Sequence, residues 1–365
     1  MEILLDAREA TANTGTGNVI RNLYPNIIKT DKINSYTILY SKTDPFPNLK
    51  CRKIKSPKDK GARFTYIWQI FGLSHFLNKN KFNVFFSVEN FVYPIYFKGT
   101  TIISIQDLIP IAIDNYYDKY KDKIKYKIQL LSLKFMKKND LIFTVSNFSK
   151  NEIIKYLKIN KNKIFVIYNG INIKKAPILS TRYLMKNNIK KPYILAIGGA
   201  EKRKNNKTLI EAFNELKIKE KLVIIGKINR EESASQFDTL NIKNNKNIIT
   251  PGIVDQKTLS ALYKNASVFV FLSYYEGFGL PPLEALSFSI PTLCADKTSL
   301  PEIYKDTVLY ADPFNKNEIK EKLIEIISNQ TMREKLIKNS KQLIKELTWQ
   351  KSAENFIQTL NTIQK

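Results

Sequence analysis

Two glutamates, Glu276 and Glu284, stand seven residues apart around the run Gly277-Phe278-Gly279-Leu280-Pro281-Pro282. Carboxylates at this spacing can accept hydrogen bonds from a hydroxyl-rich ligand or border a carbon that develops positive charge. Paired carboxylates also serve glycoside hydrolysis. The preceding run, Ala266–Leu272, is continuously apolar, as in a strand buried on both faces. Pro281-Pro282 suits the first turn of a helix, which Leu283–Phe288 continues. Gly277 and Gly279 let a ligand approach the main chain closely. In an open α/β sheet, ligands bind in loops at the carboxyl ends of strands. Exposed amides at the start of the helix would favour an anionic or hydroxyl-rich ligand.

A complementary group of cations lies upstream. Tyr193–Ile197 reads as a strand ending in Gly198-Gly199, and Arg203-Lys204 follow just before a helical pattern. A departing diphosphate needs close amide donors and fixed cations to neutralise its charge. The same cations argue against glycoside hydrolysis, which releases no anionic leaving group. Near the amino terminus, Thr14-Gly15-Thr16-Gly17-Asn18 falls between a strand and the helical pattern Val19–Ile28. Gly15 and Gly17 there suit either an ordinary loop or a tight loop beside a phosphate.

The elements that must position these groups alternate strand and helix through both halves, the pattern of parallel α/β architecture. Candidate strands are Glu2–Leu5, Tyr36–Tyr40, Asn83–Ser87, Thr101–Ile105, Leu141–Val145 and Ile164–Ile167 in the first half. Asn169-Gly170 signals a turn, and Ile171–Ser180 reads as a connector. A second series comprises Tyr193–Ile197, Lys221–Ile225, Asn247–Ile249, Ala266–Leu272, Thr292–Ala295 and Thr307–Tyr310, with helical patterns at Lys207–Leu216 and Gln256–Asn265. Two Rossmann-like domains facing a cleft are the simplest arrangement. Residues 1–170 form the first domain and 171–345 the second, with helix 346–365 packing back toward the first.

Composition narrows the class. A chain of 365 residues with 43% hydrophobic content accommodates two globular domains. Its apolar runs are too short for a membrane span and its first residues lack a signal pattern, so a cytoplasmic location is expected. Two distant cysteines and a single histidine, His75, suggest neither a disulfide framework nor a histidine-based metal site. We read His75 as a packing residue. The 59 Lys and Arg against 33 Asp and Glu give a net charge of +26. That excess fits an anionic membrane surface better than nucleic acid, because no nucleic-acid module accompanies it; compositional bias toward lysine accounts for part of it.

In this order the motifs resemble the retaining glycosyltransferases of family 4, with the GT-B fold. The resemblance covers nearly the whole chain: the first glycine loop, Val145-Ser-Asn-Phe-Ser149, Val166-Ile-Tyr-Asn-Gly-Ile171, Arg203-Lys204-Asn205, Glu276–Glu284 and Ser299-Leu-Pro-Glu302. It is nearest to mannosyltransferase-like members of bacterial surface-polysaccharide pathways. The resemblance implies a nucleotide diphosphate sugar held mainly by the second domain and a glycan or lipid-linked saccharide acceptor held by the first. It implies that Arg203 and Lys204 hold the diphosphate, that Glu284 accepts from the ribose hydroxyls, and that Glu276 lies by the transferred sugar. The Gly277, Phe278, Gly279 and Leu280 backbone would contact sugar and phosphate, Gly198 and Gly199 would shape the turn, and Gly15 and Gly17 would close over the diphosphate. It further implies front-face substitution with retention, no metal and no cofactor beyond the donor. Where many relatives have histidine-aspartate, this chain has Gln106-Asp107, and glutamine can hydrogen-bond a hydroxyl but cannot titrate. A UDP-linked sugar as donor and a catalytically silent nucleotide-sugar-binding scaffold remain open alternatives.

Lysine concentrates in two segments of the first half. Lys50–Arg63 reads as a basic loop. Tyr116–Asp140 reads as a helix with lysines at 119, 121, 123, 125, 127, 134, 137 and 138. Its apolar positions Tyr120, Ile124, Leu131 and Phe135 share one face, beside Tyr117 and Ile128. That face either packs on the sheet, the plainer reading, or lies on an anionic leaflet.

Overall fold

The computed structural model describes residues 1–12, 14–56, 68–88, 93–113, 116, 120–172, 181–227 and 245–362. The chain divides into two compact units: residues 1–170 with 347–365, and residues 171–346.

The first unit is built on a seven-stranded parallel sheet in the order β3-β2-β1-β4-β5-β6-β7. Its strands are β1 (Glu2–Asp6), β2 (Ser35–Tyr40), β3 (Arg52–Lys55), β4 (Val84–Ser87), β5 (Thr100–Ser104), β6 (Leu141–Thr144) and β7 (Ile164–Val166). Central strands are apolar at successive positions because both faces are covered: all four residues of β4 are buried. Alternate side chains then go to opposite layers. Phe86 and Phe143 face helix α1 (Gly15–Thr30) and the last helix, α13 (Trp349–Thr362), with Phe86 5.6 Å from Tyr24 and 4.7 Å from Phe356, centroid to centroid. Phe85, Ile103 and Ile142 face the other layer with Leu73, Leu77, Tyr93 and Phe97. That layer contains a short π-helical turn Trp68–Gly72, α2 (Leu73–Lys79), α3 (Ile109–Ala112), α4 (Tyr120–Ser132) and the 3-10 turn Leu133–Phe135. Helix α5 (Asn147–Leu157) follows β6.

Helix α13 belongs to this unit although its sequence follows the other. Thr348 Oγ1 accepts from Lys351 N at 3.2 Å, and Ser352 Oγ donates to the Tyr168 carbonyl at 2.6 Å. A Cβ on Gly170 would stand 2.1 Å from Trp349 N, so only glycine permits this approach.

The second unit carries a six-stranded parallel sheet, β10-β9-β8-β11-β12-β13. The strands are β8 (Tyr193–Ile197), β9 (Lys221–Ile225), β10 (Ile248–Gly252), β11 (Val268–Phe271), β12 (Thr292–Ala295) and β13 (Leu309–Ala311). After α6 (Thr181–Lys186) come α7 (Asn206–Asn214), α8 (Gln256–Asn265), α9 (Leu280–Ser287), α10 (Leu300–Tyr304), α11 (Lys316–Ser328) and α12 (Gln330–Glu346). One core gathers Ile194, Leu209, Phe213, Ile224, Val270, Ile319 and Leu323. Tyr263 stacks on Phe288 at 5.8 Å and meets Phe269 at 5.4 Å. Among the described residues no helix is long and apolar enough to cross a membrane.

Several sequence expectations change. Lys50–Arg63 is not simply a loop: Arg52–Lys55 pairs with β2 as the edge strand β3, and residues 57–63 lie outside those described. Three of its four residues are basic, which hides a strand from pattern reading but suits an edge. Most of the connector Ile171–Ser180 likewise lies outside the described residues. The lysine-rich helix ends at Ser132, so Lys134, Lys137 and Lys138 fall beyond it. Of its expected packing face, Ile124, Leu131 and Phe135 are open to solvent. Tyr126 is buried instead, while Tyr117 lies outside the described residues. His75 is exposed on α2 rather than packed.

Candidate functional site

In each sheet the strand order reverses beside the first strand of its unit, between β1 and β4 and between β8 and β11. The carboxyl ends of strands at such a reversal leave a crevice between diverging loops. The chemistry-bearing residues of the second unit collect at the β8–β11 reversal.

Two strained glycines build its first wall. Gly198 has φ +116° and Gly199 φ +54°, and a Cβ on Gly199 would lie 2.2 Å from the Lys227 carbonyl. A Cβ on Gly198 would lie 2.4 Å from Lys204 Cγ, so the bare glycine lets the lysine stem cross the strand end. The 3-10 turn Lys202–Lys204 then ends at Asn205, in the left-handed region. Asn205 is fixed by a bond from its Nδ2 to the Pro313 carbonyl and by Thr208 Oγ1, and Asn206 Nδ2 donates to Gly199 O at 2.9 Å.

The second wall is the β11–α9 loop. Ser273 Oγ and Tyr274 N both donate to the Arg203 carbonyl, at 3.0 and 2.9 Å, tying the two loops together. Arg203 Nη1 and Lys204 Nζ then converge on one oxygen, Glu276 Oε1, at 2.5 and 2.6 Å. Arg203 also donates through Nε to Glu201 at 2.6 Å and through Nη1 to the Tyr275 carbonyl at 3.1 Å. The Lys204 ammonium sits 4.6 Å from the Phe271 ring centroid. Glu276 is only 8% exposed, and its backbone is held by Thr298 and Ser299. Burial alone would raise its pKa, but Lys204 and Arg203 outweigh that and hold it below the usual carboxylate range.

The sequence suggests an electropositive clamp; the structure shows a charge-balanced one. Two cations meet two carboxylates, and Glu201, which spacing did not single out, is one of them. Buried charges persist when paired and hydrogen-bonded in this way. The start of α9 also offers less than expected. Pro281 and Pro282 occupy its first turn and carry no N–H, so an anion there must use loop amides and Leu280. Gly279 has φ +83°, and a Cβ on it would meet Leu300 Cδ2 at 2.6 Å. Phe278 is buried, so that residue offers a ligand its backbone.

Two buried tyrosines missed by sequence reading hold this loop and helix. Tyr263 OH donates to Glu284 Oε2 at 3.1 Å, and Tyr304 OH donates to the Gly279 carbonyl. The Tyr304 phenol is raised first by burial, and then by Cys294, Glu276 and Glu284. Both predicted carboxylates therefore act electrostatically on one hydroxyl. A buried tyrosine looks like any core aromatic in sequence, so no local signal marks either residue.

In the first unit, Gly15 and Gly17 occupy the first turn of α1 rather than a loop before it. Thr14 Oγ1 accepts from Gly17 N at 3.1 Å. A Cβ on Gly17 would lie 2.3 Å from Ala12 O, whereas one on Gly15 would meet nothing within 4 Å. Gly17 is thus required for packing, and Gly15 is open to approach. Gln106 is oriented by Nε2 donating to Ser104 Oγ at 2.6 Å and by Asn169 Nδ2 donating to its Oε1 at 3.2 Å. Asp107 accepts from Ile109 N at 3.2 Å and shapes the turn into α3. At the end of β1, buried Asp6 accepts from Arg8 Nε and Nη2 at 2.8 and 2.6 Å, an ion pair also absent from the sequence expectations.

Comparison with known proteins fits these two units. Residues 36–175 match the Glycosyltransferase Family 4 profile, and residues 182–343 match Glycosyl transferases group 1. The chain belongs with these glycosyltransferases, one domain of each type in succession. It is 30% identical over 238 residues to O-antigen chain mannosyltransferase B of Escherichia coli, covering 63% of this chain and 62% of that protein. The match therefore spans less than two thirds of that relative's length. Among solved structures, sucrose-phosphate synthase from Thermosynechococcus elongatus superposes with TM-score 0.76 at 17% identity, covering 100% of this chain and 99% of the other. Anabaena Alr3699/HepE in complex with UDP-glucose gives TM-score 0.76 at 11% identity, covering 99% and 100%. The fold is GT-B, as the sequence motifs imply.

Proposed function

We propose that this protein transfers a hexose from a nucleoside diphosphate sugar to a glycan acceptor, with retention and without a metal. The observation that carries this reading is the convergence of Arg203 and Lys204 on Glu276 at the β8–β11 crevice. In this mechanism the donor diphosphate takes over Arg203 and Lys204, which trade Glu276 Oε1 for phosphate oxygens. The released Glu276 carboxylate then faces the sugar as its anomeric carbon gains positive charge. The glycosidic C–O bond to phosphate breaks, and the electron pair leaves with the diphosphate, which the two cations stabilise. An acceptor hydroxyl forms the new bond on the same face and gives its proton to the departing phosphate oxygen. Glu284, held by Tyr263, accepts from the ribose, and Gln106 offers its amide to a sugar hydroxyl.

Neutralisation by two side chains supplies what a divalent cation would otherwise provide. Among the described residues no three His, Cys, Asp or Glu side chains gather as metal ligands. The kinship with an O-antigen chain mannosyltransferase supports mannose as the sugar and a growing bacterial surface polysaccharide as the acceptor. A uridine-linked donor is the second reading, favoured by the UDP-glucose complex of the Anabaena fold neighbour. The test is a panel of nucleoside diphosphate mannose and UDP-hexoses, first for thermal stabilisation, then for transfer to a lipid-linked saccharide in the presence of chelator. We expect one donor to stabilise the protein and to be consumed with retained anomeric configuration. Stabilisation by none of the donors would overturn the reading, and abolition of transfer by chelator would overturn its metal-free part.

A further inference from the structure

The motif Ser299-Leu300-Pro301-Glu302 supplies none of the clamp's charges, yet the segment that carries it lies along the β11–α9 loop. Thr298 Oγ1 accepts from Glu276 N at 3.2 Å, and Ser299 Oγ donates to the Glu276 carbonyl at 2.9 Å. Both backbone groups of Glu276 are therefore held from the β12 side, while its carboxylate meets cations from the β8 side. The same segment continues along the loop. Leu300 fills the space that a side chain on Gly279 would need, and Tyr304 OH donates to the Gly279 carbonyl.

This bracket is itself anchored to β13 and the residue after it. Asp296 N donates to the Ala311 carbonyl at 3.1 Å, and Tyr310 OH donates to the Leu300 carbonyl at 3.4 Å. Lys297 Nζ bridges Asp296 and Asp312 at 3.0 and 3.5 Å. Between these anchors the chain adopts a costly backbone. Thr298 has φ +56°, in the left-handed region. Seven non-glycine residues among those described have positive φ, and Thr298 is the only β-branched one. A β-branched side chain resists this region and persists in it only where its surroundings over-determine it. Glycine would adopt the same backbone without strain. What the position gains from threonine is the hydroxyl that accepts from Glu276 N.

We propose that Thr298 is a positioning residue for Glu276. With its N–H and carbonyl both held, Glu276 exchanges Arg203 and Lys204 for the sugar by turning its side chain about a fixed backbone. A loop free to shift would let the carboxylate follow its cations toward the phosphates, or drift from the anomeric carbon. Rate depends on that placement. Donor binding does not, because Arg203 and Lys204 hold the diphosphate. The inference rests on the proposed function for this exchange of partners, but the bracket is also measurable without any donor.

The experiment compares Thr298→Gly, which removes hydroxyl and strain together, with Thr298→Ser, which restores the hydroxyl. In the glycine variant kcat should fall about tenfold, near the most that one neutral hydrogen bond supplies. Donor KM and affinity for the free nucleoside diphosphate should stay unchanged, and the melting temperature should not fall. The serine variant should recover most of the rate. Hydrogen exchange on the free protein gives the second readout: amides of residues 274–280 should exchange faster in the glycine variant and near wild-type rates in the serine variant. Wild-type kcat in the glycine variant overturns the inference, as does unchanged exchange in this loop. So does a lower melting temperature with KM rising as kcat falls, which marks ordinary support of the fold. If the loop loosens as expected but wild type transfers sugar from no donor, the proposed function falls and the bracket stands. Equal transfer by wild type and glycine variant does the reverse.

Discussion

Each sheet reverses its strand order beside its own first strand, and the two reversals carry different chemistry. At the β8–β11 reversal, four charged side chains balance within hydrogen-bonding distance and two strained glycines bring their backbones together. At the carboxyl ends of the first sheet, the predicted site residue Gln106 is a neutral amide, oriented by Ser104 and Asn169. The ion pair there, Asp6 with Arg8, is closed on itself. The difference teaches where charge must be handled. A fixed anionic ligand calls for preorganised cations, while a hydroxyl-bearing ligand needs only neutral donors and acceptors.

The largest expected effects test the charged half. Lys204→Ala should lower turnover at least about a hundredfold, the scale of losing one preorganised electrostatic contact. Glu276→Gln should lower turnover similarly, yet tighten binding of the free nucleoside diphosphate at least about tenfold, because Arg203 and Lys204 lose their internal anion. Calorimetry beside single-turnover kinetics separates the two. If Glu276→Gln leaves diphosphate affinity unchanged, the carboxylate does not compete for the cations.

Next come the glycines. Gly199→Ala should lower stability by about 1–3 kcal/mol, since its backbone is left-handed and its site is filled by the Lys227 carbonyl. Gly17→Ala should also destabilise, whereas Gly15→Ala should not, and thermal melts rank all three. A smaller effect is expected at Tyr263→Phe. Freeing Glu284 should raise donor KM about fivefold with kcat nearly kept, the weight of one hydrogen bond. A kcat loss instead would place Glu284 in the chemistry.

The smallest effect concerns acid. Bonds from Lys316 and Lys320 pull exposed Glu215 down to about 2. Its folded value is below the unfolded one of about 4.3, so its stabilisation is present above that value. It is lost as pH falls through about 2. Glu215→Gln should therefore flatten the acid limb of the stability curve slightly, and less so in high salt. Glu276 carries the same sign, and its acid loss should persist in salt because it is buried.

The parallel sheets were readable because strands covered on both faces are apolar without interruption. Val268–Phe271 and Val84–Ser87 declare themselves that way. Strand β3 does not, because an edge strand tolerates Arg52, Lys53 and Lys55, and its partner β2 is named only by pairing. The amphipathic stripe on α4 was visible too, but a stripe does not say which way it faces. Tyr126 took the buried place, and Ile124 and Leu131 were left in water.

Residue type and local spacing alone set the α/β class, the glycine turns after β8 and β11, and the glutamates around Gly277–Pro282. Each depends on neighbours a few positions away. Tertiary structure decided which charges meet: Lys204 and Glu276 are 72 residues apart in sequence and 2.6 Å apart in space. It also decided that Glu201 completes the balance and that Tyr263 and Tyr304 hold the loop. Burial and partner choice arise only when distant segments exclude water from the same volume, and no local pattern encodes that.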